Sequence, residues 1–206
     1  MISYSISAIR EAQIADTVMV STDDEEIAEI AREYGAEVPF FRSTELANDK
    51  TGIADVLIDV IKQYRKEGIE FEYTICILAT VPLIKKENLI KAFNMLQNTK
   101  DADSVCPVEA FSYPPQRCLV IRDGKLHMLY PENYYARSQD LEKQYHDCGQ
   151  FFMFKTEALL REKKLYTQNA LPFFLNEMES QDIDNYTDLE IAKLKYELLL
   201  KKGLEK

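Results

Sequence analysis

The sequence lacks the features that mark secreted, membrane and nucleic-acid-binding proteins. No apolar run approaches the roughly 20 residues needed to cross a bilayer, and the first residues lack the basic and apolar regions of a secretory signal. The formal net charge is −10, with no basic stripe that could neutralise a phosphate backbone. These absences predict a cytoplasmic protein that binds neither a membrane nor a nucleic acid.

Motifs built on histidine, cysteine or clustered glycine are also missing. The chain has two histidines, and its four cysteines are too widely spaced for a C-x-x-C pair, which favours reduced thiols over a disulfide framework or a zinc site. The six glycines are all isolated, so neither the G-x-G-x-x-G fingerprint nor the Walker A loop occurs. No Ser–His–Asp or Cys–His arrangement is visible, and a histidine-based site is therefore not expected.

What the sequence does contain is the pattern of one folded domain, residues 1–206. Its hydrophobic content of 46% and charged content of 29% are those of a soluble globular protein. Short apolar strands alternate with amphipathic helices, which predicts an α/β fold: a mostly parallel sheet with helices on both faces. The predicted helices are 2–12, 25–34, 52–67, 87–97, 156–163 and 187–202, and the predicted strands are 17–20, 36–38, 73–78, 103–108 and 148–154.

Residues 111–145 interrupt this alternation. Two short apolar runs, 119–122 and 125–129, flank Asp123-Gly124, a strong two-residue hairpin signal. We therefore expect a small antiparallel hairpin, inserted into the main domain as an excursion or lid.

A polar and aromatic segment follows the hairpin. Residues 134–152 combine Arg137, Gln139 and Gln150 with several tyrosines and phenylalanines. Aromatic side chains that line a site, together with amide side chains and an arginine, suit a ligand that carries carboxylate and hydroxyl groups. Tyrosine and arginine are also enriched at protein–protein interfaces, so the residues alone leave both interpretations open.

Asp182 and Asp184 are the best candidate metal ligands. They lie in an extended-looking run, where residues i and i+2 project from the same face and can share one cation. Oxygen ligands of this kind suit Mg²⁺, which keeps several waters and takes one or two carboxylates with substrate phosphate. The alternative is that Asp184 or Thr187 caps the last helix while Asp182 is merely solvated.

Two earlier segments carry weaker signals. Residues 21–24 lie where a strand leads into a helix, the edge at which open α/β sheets bind ligands. Their hydroxyls and carboxylates are better explained as a helix cap. Arg42 lies in a loop, and its permanently charged guanidinium could bind a phosphate or the edge of a base. Most loop arginines, however, are only solvated.

Four ordered segments resemble the acylneuraminate cytidylyltransferase family, whose enzymes activate nonulosonic acids as CMP-sugars. They are VMVSTDDEEIAEIAREYGAEVPFFR (18–42), LATVPL (78–83), RSQDLEKQYHDCGQFF (137–152) and QDIDNYTD (181–188). LATVPL stands where the sialic-acid enzymes usually carry Gln-Pro-Thr-Ser-Pro. Together with Pro-Pro-Gln-Arg at 114–117, it makes the chain most similar to the pseudaminic acid branch.

The resemblance implies a fold, a reaction and a set of ligands. The fold is a Rossmann variant of the nucleotide-diphospho-sugar transferase type. In the reaction, the anomeric hydroxyl of an acidic nine-carbon sugar attacks the α-phosphorus of CTP, giving CMP-sugar and pyrophosphate. Mg²⁺ is the implied cofactor, held by Asp182 and Asp184, which would also be the catalytic residues.

The resemblance also implies where each substrate lies. Arg42 would contact the nucleotide, with Thr51 nearby. The sugar side would be lined by Thr80, Arg137, Gln139, Gln150 and Phe151. A homodimer is implied, with the hairpin excursion reaching into the partner's site.

Members of the family carry a strand and an Arg-x-Gly-Gly-Ser-Lys…Lys-Asn phosphate loop ahead of the first helix, and these are absent from the 206 residues. The resemblance therefore implies weak CTP binding and negligible turnover by this chain. Two rival hypotheses remain: an enzyme that activates sialic or legionaminic acid, and a non-catalytic remnant that binds sugar or dimerises.

Overall fold

The computed structural model describes residues 1–204, in which six α-helices and seven β-strands are found. In chain order they are α1 Ile2–Ala12, α2 Glu25–Glu33, α3 Ile53–Lys66, β1 Tyr73–Ile77, α4 Lys86–Asn98, β2 Ser104–Ala110, β3 Leu119–Arg122, β4 Lys125–Met128, β5 Tyr145–Asp147, β6 Phe151–Lys155, α5 Thr156–Glu162, β7 Ala170–Phe174 and α6 Tyr186–Leu204. Every predicted helix is present, with ends that differ by a few residues at most.

The start of α2 shows why the sequence forms a helix there. The side chain of Asp24 accepts a hydrogen bond from the backbone N–H of Ile27 at 2.9 Å, and Glu25 and Glu26 occupy the first turn, where negative charge is favourable. Within residues 21–24, Asp24 thus acts as the helix cap that the sequence favoured.

The main sheet differs from the prediction, because it is mostly antiparallel. The strand order is β1-β6-β2-β5, with β7 pairing β2. The pairings β1–β6, β2–β6 and β2–β5 are antiparallel, and only β2–β7 is parallel. The reason is that β6 returns between β1 and β2 and runs against both. A buried apolar run looks the same in either direction, so hydrophobicity alone predicted the strand but not its orientation.

Strand β6 lies at the centre of the core, and its alternate residues face opposite layers. Phe151 and Met153 are fully buried on the side covered by α1 and α4. Phe152 and Phe154 are buried on the other side, against α3 and α5. Successive side chains of a strand point to opposite faces, so this one strand joins both hydrophobic clusters. Helices cover both faces, as predicted.

The two predicted strands 17–20 and 36–38 are reduced to a single parallel bridge between Met19 and Glu37. It is held by two backbone hydrogen bonds, from Val20 N to Glu37 O at 2.9 Å and from Glu37 N to Val18 O at 2.8 Å. These residues therefore keep extended backbone without joining the main sheet.

The predicted hairpin is present. Among the described residues, strands β3 and β4 pair only with each other, and the turn between them has positive φ at Asp123 (50°) and Gly124 (71°), as a tight hairpin turn requires. Its strands leave Leu119, Ile121 and Leu126 largely exposed.

Among the described residues, no helix combines the length and the apolar character that a membrane span requires.

Candidate active site

Three segments meet at the carboxyl end of β1. The backbone N–H of Leu78 donates to the carbonyl of Gln150 at 2.9 Å. A Cβ placed on Gly149 would lie 3.7 Å from Oδ1 of Asp182 and 4.0 Å from Cδ1 of Leu78. The end of β1, the start of β6 and the acidic run 181–184 are therefore neighbours, although they are far apart in the sequence.

The segment that carries Asp182 is anchored by two side chains acting on Glu179. The Gln150 amide, which is 2% exposed, donates to the Glu179 carbonyl. Lys85 Nζ lies 2.7 Å from the Glu179 carboxylate, an ion pair whose side chains are 34% and 18% exposed. A third anchor, from Lys195 Nζ to the Ser180 carbonyl, measures 2.7 Å. The backbone just before Asp182 is thus fixed before any ligand arrives.

Asp182 and Asp184 are both exposed. Gln181, which precedes them, and Ile183, which lies between them, are half-buried. This alternation is the one expected for an extended run. Among the described side chains, neither carboxylate has a hydrogen-bond or ion-pair partner, and the polar contacts of these residues are through the backbone.

The cap of α6 is a different residue from those considered in the sequence. Asn185 Oδ1 accepts the backbone N–H groups of Thr187 at 2.9 Å and Asp188 at 3.2 Å. Asp188 in turn accepts the N–H of Asp184 at 3.0 Å. Neither Asp184 nor Thr187 is needed as a cap, which leaves both aspartate side chains available to a ligand.

The donor set suits Mg²⁺. Two uncompensated carboxylates at an exposed position are the kind of protein contribution that this ion takes, with water and phosphate oxygens completing its shell. Within the described residues no group of three or more His, Cys, Asp or Glu side chains gathers here or elsewhere. An all-protein cage for calcium or zinc is therefore not formed by these residues.

Gly149 and Asp147 shape the turn that leads into β6. Gly149 has φ 57°, a left-handed conformation that disfavours side chains. Asp147 Oδ1 accepts the Gly149 N–H at 3.0 Å, and Asp147 Oδ2 accepts the Tyr166 hydroxyl at 2.6 Å. Burial and this carboxylate raise the pKa of Tyr166, so its hydroxyl remains a donor to Asp147.

The residues predicted to contact the nucleotide lie in the connection between α2 and α3. Arg42 donates from Nε to Ser21 Oγ at 3.1 Å and from Nη2 to the Ser21 carbonyl at 2.5 Å. Its guanidinium is therefore fixed at the end of the segment 17–20. Thr51 Oγ1 accepts from the Asn48 amide at 2.8 Å. Thr51 faces a separate cavity of about 570 Å³ that also contains Lys50 and Lys62.

The predicted sugar-side residues are distributed over two places. Thr80 is exposed just after β1, and Gln150 is buried, with its carbonyl bonded to the N–H of Leu78. Arg137 and Gln139 are exposed in the excursion, where Arg137 makes a two-pronged ion pair with Asp140 at 2.7 and 3.1 Å. No hydrogen bond or ion pair among the described residues links them to the Asp182 segment. Phe151 has no exposed surface and packs against Phe173 in the core.

Sequence reasoning missed Lys85 and Glu179. Each belongs to an ordinary charged stretch, and their 94-residue separation conceals the pairing. Gly149 was part of a recognised motif, but its left-handed backbone follows only from the structure. The one available signal was an isolated glycine two residues before the apolar run that begins at Phe151.

The comparisons with known proteins agree with this arrangement. The family model described as "Cytidylyltransferase" matches residues 1–202. The chain belongs to the cytidylyltransferase family and is thus a CTP-dependent nucleotidyltransferase by class.

Among curated relatives, a pseudaminic acid cytidylyltransferase of Campylobacter jejuni is 34% identical over 199 residues, covering 96% of this chain and 85% of the relative. A CMP-N,N'-diacetyllegionaminic acid synthase of Legionella pneumophila is 28% identical over 205 residues, covering 96% and 85%. The resemblance read from the four segments is therefore confirmed at the level of the family.

Solved structures support the fold. A CMP:2-keto-3-deoxy-manno-octonic acid synthetase complexed with CTP superposes with a TM-score of 0.67 at 15% identity, covering 97% of this chain and 88% of that one. A 4-diphosphocytidyl-2C-methyl-D-erythritol synthase gives 0.62 at 11% identity, covering 95% and 87%. At such identities the likeness concerns the fold alone, and it confirms the nucleotidyltransferase-like α/β architecture.

Proposed function

We propose that this protein transfers the cytidylyl group of CTP to the anomeric hydroxyl of a nonulosonic acid, with pseudaminic acid as the substrate. The sugar oxygen forms a bond to the α-phosphorus, pyrophosphate leaves with the electron pair of the broken P–O bond, and the hydroxyl proton passes to solvent or a base. The observation that carries this proposal is the pair of unpartnered carboxylates, Asp182 and Asp184, in a chain of this family, with Asp182 lying near the end of β1.

Asp182 and Asp184 are proposed to hold Mg²⁺. The ion would neutralise phosphate charge and orient the triphosphate. The protein's own contribution is positioning: Gln150, Lys85 and Lys195 fix the backbone that presents the two carboxylates. A pre-positioned site avoids the free-energy cost of ordering the ligands when the substrate binds.

The sugar would lie between Thr80 and the excursion. Thr80 is exposed just after β1, two residues beyond Leu78, whose N–H donates to the Gln150 carbonyl. Arg137 and Gln139 would reach the sugar carboxylate and its amide or hydroxyl groups, since guanidinium binds carboxylate in a two-pronged geometry. Asp140 holds that guanidinium now, so a sugar carboxylate would have to exchange with it.

We also propose a homodimer in which the excursion contacts the partner subunit. The exposed apolar residues of β3 and β4, with Ile121 75% and Leu126 68% exposed, form a surface that a partner could cover. Exposed apolar patches of this kind commonly mark interaction sites.

The 206 residues by themselves are proposed to bind CTP weakly. Three cations named above already have partners: Arg42 bonds to Ser21, Lys85 to Glu179 and Arg137 to Asp140. The triphosphate would therefore depend mainly on the metal ion. Pyrophosphate release at an ordinary enzymatic rate by this chain with CTP, Mg²⁺ and pseudaminic acid would contradict this part of the proposal.

Metal binding provides a test that does not depend on turnover. Mn²⁺ binding followed by electron paramagnetic resonance should be lost or weakened about tenfold or more in Asp182→Asn and Asp184→Asn, since each removes one of two charged ligands. Glu177→Gln is the matched control: it removes one charge from the same connection at an exposed side chain. Equal weakening in Glu177→Gln, or none in the two aspartate variants, would refute the assignment.

Sugar identity is tested by competition. Pseudaminic, N,N'-diacetyllegionaminic and N-acetylneuraminic acids would be compared for CTP-dependent pyrophosphate release and for calorimetric binding. A preference for pseudaminic acid is expected, in line with the 34% identical relative. Preference for legionaminic acid would favour the second candidate instead, in line with the 28% identical relative.

A further inference from the structure

The link between β5 and β6 contains a bulge. Strand β7 occupies one edge of β2, so β5 and β6 share the other edge. Along that edge Val108 lies opposite Asp147, and Val105 lies opposite Met153. Between these two pairs, two residues of β2 face the five residues 148–152, an excess that defines a large β-bulge. Bulges of this kind are over-represented beside active sites.

Pro107, one of the two β2 residues opposite the bulge, explains its position. The Pro107 carbonyl accepts the N–H of Cys148 at 3.1 Å. In an antiparallel ladder the N–H and the C=O of one residue point to the same neighbouring strand, and proline has no N–H to offer there. A residue paired with Pro107 would therefore gain one ladder bond instead of two. Extra residues can be inserted at such a place at little cost, which is why proline inside a sheet is found at bulges.

The bulge supports the segment that carries Asp182. Besides the amide anchor from Gln150 described above, two of its residues lie against this segment. Burial raises the pKa of the Cys148 thiol, and the Ser180 side chain next to it opposes that rise. A Cβ placed on Gly149 would lie 3.7 Å from Oδ1 of Asp182. Three consecutive residues of the bulge thus lie against the backbone run 179–182.

Two side chains fix the turn at the start of the bulge. Asp147 Oδ1 accepts the Gly149 N–H at 3.0 Å, and Asp147 Oδ2 accepts the Tyr166 hydroxyl at 2.6 Å. The Tyr166 ring is 53% exposed and packs edge-on against Phe152, with the ring centroids 6.2 Å apart. Burial is the first cause that raises the pKa of Tyr166, and Asp147 is the second. The hydroxyl end of the side chain is therefore shielded from water, although much of the ring is exposed.

We propose that Tyr166 is a positioning residue for the metal site at Asp182. Its hydroxyl fixes the carboxylate of Asp147, and that carboxylate fixes the turn at Gly149. The turn supports the segment that carries Asp182. This inference rests on the proposed binding of Mg²⁺ by Asp182 and Asp184. Groups that hold a metal ligand from behind change metal affinity when they are removed, because the ligand is then no longer held in its binding geometry.

Tyr166→Phe tests this role, because it removes the hydroxyl and keeps the ring on Phe152. Mn²⁺ binding to the 206-residue chain, followed by electron paramagnetic resonance, should weaken about threefold to tenfold, the range that one hydrogen bond covers. In residue-resolved amide hydrogen exchange, the Gly149 amide should exchange about threefold faster or more, since local opening of the turn becomes easier.

Thr167→Val is the matched control in the same segment. Thr167 is 5% exposed, and its hydroxyl bonds to that of Ser104 at 2.7 Å. Loss of this buried bond should lower the free energy of unfolding in urea at least as much as Tyr166→Phe does. Mn²⁺ affinity and the exchange of the Gly149 amide should nevertheless stay unchanged, because the lost bond does not involve Asp147.

A double variant shows whether Tyr166 acts through Asp147. Asp147→Ala alone should weaken Mn²⁺ binding at least as much as Tyr166→Phe, since it removes both bonds of the carboxylate. Tyr166→Phe added to Asp147→Ala should then change Mn²⁺ affinity by less than about twofold, because the tyrosine has lost the group through which it acts.

The outcomes separate this inference from the metal assignment on which it rests. Mn²⁺ binding that is lost in Asp182→Asn but unchanged in Tyr166→Phe would overturn the role of Tyr166 alone. Equal losses of Mn²⁺ affinity in Tyr166→Phe and Thr167→Val, or fully multiplicative effects in the double variant, would do the same. Mn²⁺ binding that Asp182→Asn leaves unchanged would overturn the proposed metal site, and this inference with it.

Discussion

Removal of the Lys85 ammonium tests whether the Asp182 segment is held in place by the Lys85–Glu179 ion pair. The pair is short, at 2.7 Å, and Glu179 is 18% exposed while Lys85 is 34% exposed. Exposed pairs contribute about 0–1 kcal/mol, and breaking a fully buried pair costs about 3–5 kcal/mol. Because the burial of the Lys85–Glu179 pair lies between these cases, we expect Lys85→Met to lower the free energy of unfolding by about 1.5 kcal/mol.

The assay is urea unfolding followed by circular dichroism. With a slope of about 3 kcal/mol per molar urea, at the upper end of the usual range for small proteins, the midpoint should fall by about 0.5 M. Glu179→Gln should give a similar shift, and the double variant should lose less than the sum, with a coupling energy of about 1 kcal/mol. If Asp182 holds the metal as proposed, Mn²⁺ binding should weaken in both single variants, because the backbone anchor of Asp182 is loosened.

The neighbouring lysine is the control for this experiment. Lys86 forms an ion pair with Glu11 at 3.0 Å, with side chains 43% and 61% exposed. Solvent screens this pair, so Lys86→Met should leave both the urea midpoint and Mn²⁺ binding unchanged. Equal shifts for Lys85→Met and Lys86→Met, or additive effects of Lys85→Met and Glu179→Gln, would refute the reasoning.

Three further changes have defined outcomes. Gln150→Leu should lower the free energy of unfolding by about 1–3 kcal/mol in urea titrations, because the Glu179 carbonyl loses its donor; Gln139→Leu, on the exposed excursion, should not. Burial raises the pKa of Cys106 to about 12 and that of Cys148 to about 11 from an ordinary value of 9.0. The two buried thiols therefore contribute fully to stability below pH 9, and this contribution is lost as the pH rises through 11 to 12. The free energy of unfolding should accordingly fall above pH 9. A variant with both Cys106→Ala and Cys148→Ala should show a smaller fall. Ile121→Glu should convert the proposed dimer to monomer in light scattering without lowering the melting temperature, since this side chain is 75% exposed; an unchanged dimer would count against the excursion as its interface.

The elements that the sequence predicted well are those whose formation depends on local chemistry. Asp24 caps α2, and Asp123-Gly124 forms the hairpin turn, because each depends only on residues close in sequence. The alternation at Asp182 and Asp184 also follows from local backbone geometry. Such features need no knowledge of the partner segment.

The elements that the sequence missed depend on distant partners. Strand β7 contains Pro172, which argues against a strand until it is seen at the edge of the sheet, where a missing donor is tolerated. The orientation of β6 follows from where the excursion returns the chain, not from its apolar residues. The Glu179 anchor joins positions that no short motif connects.

The way the excursion is attached gives it a degree of independence. In the part of the chain that the structure describes, its hairpin strands pair only with each other. The chain leaves and rejoins the main sheet through one short ladder, with Val108 opposite Asp147 and Ala110 opposite Tyr145. That ladder is therefore a suitable point at which to replace the excursion by the corresponding segment of another protein. If the excursion binds the sugar as proposed, exchange of the loop beyond this ladder between related enzymes should transfer sugar preference while the buried core around β6 keeps its packing.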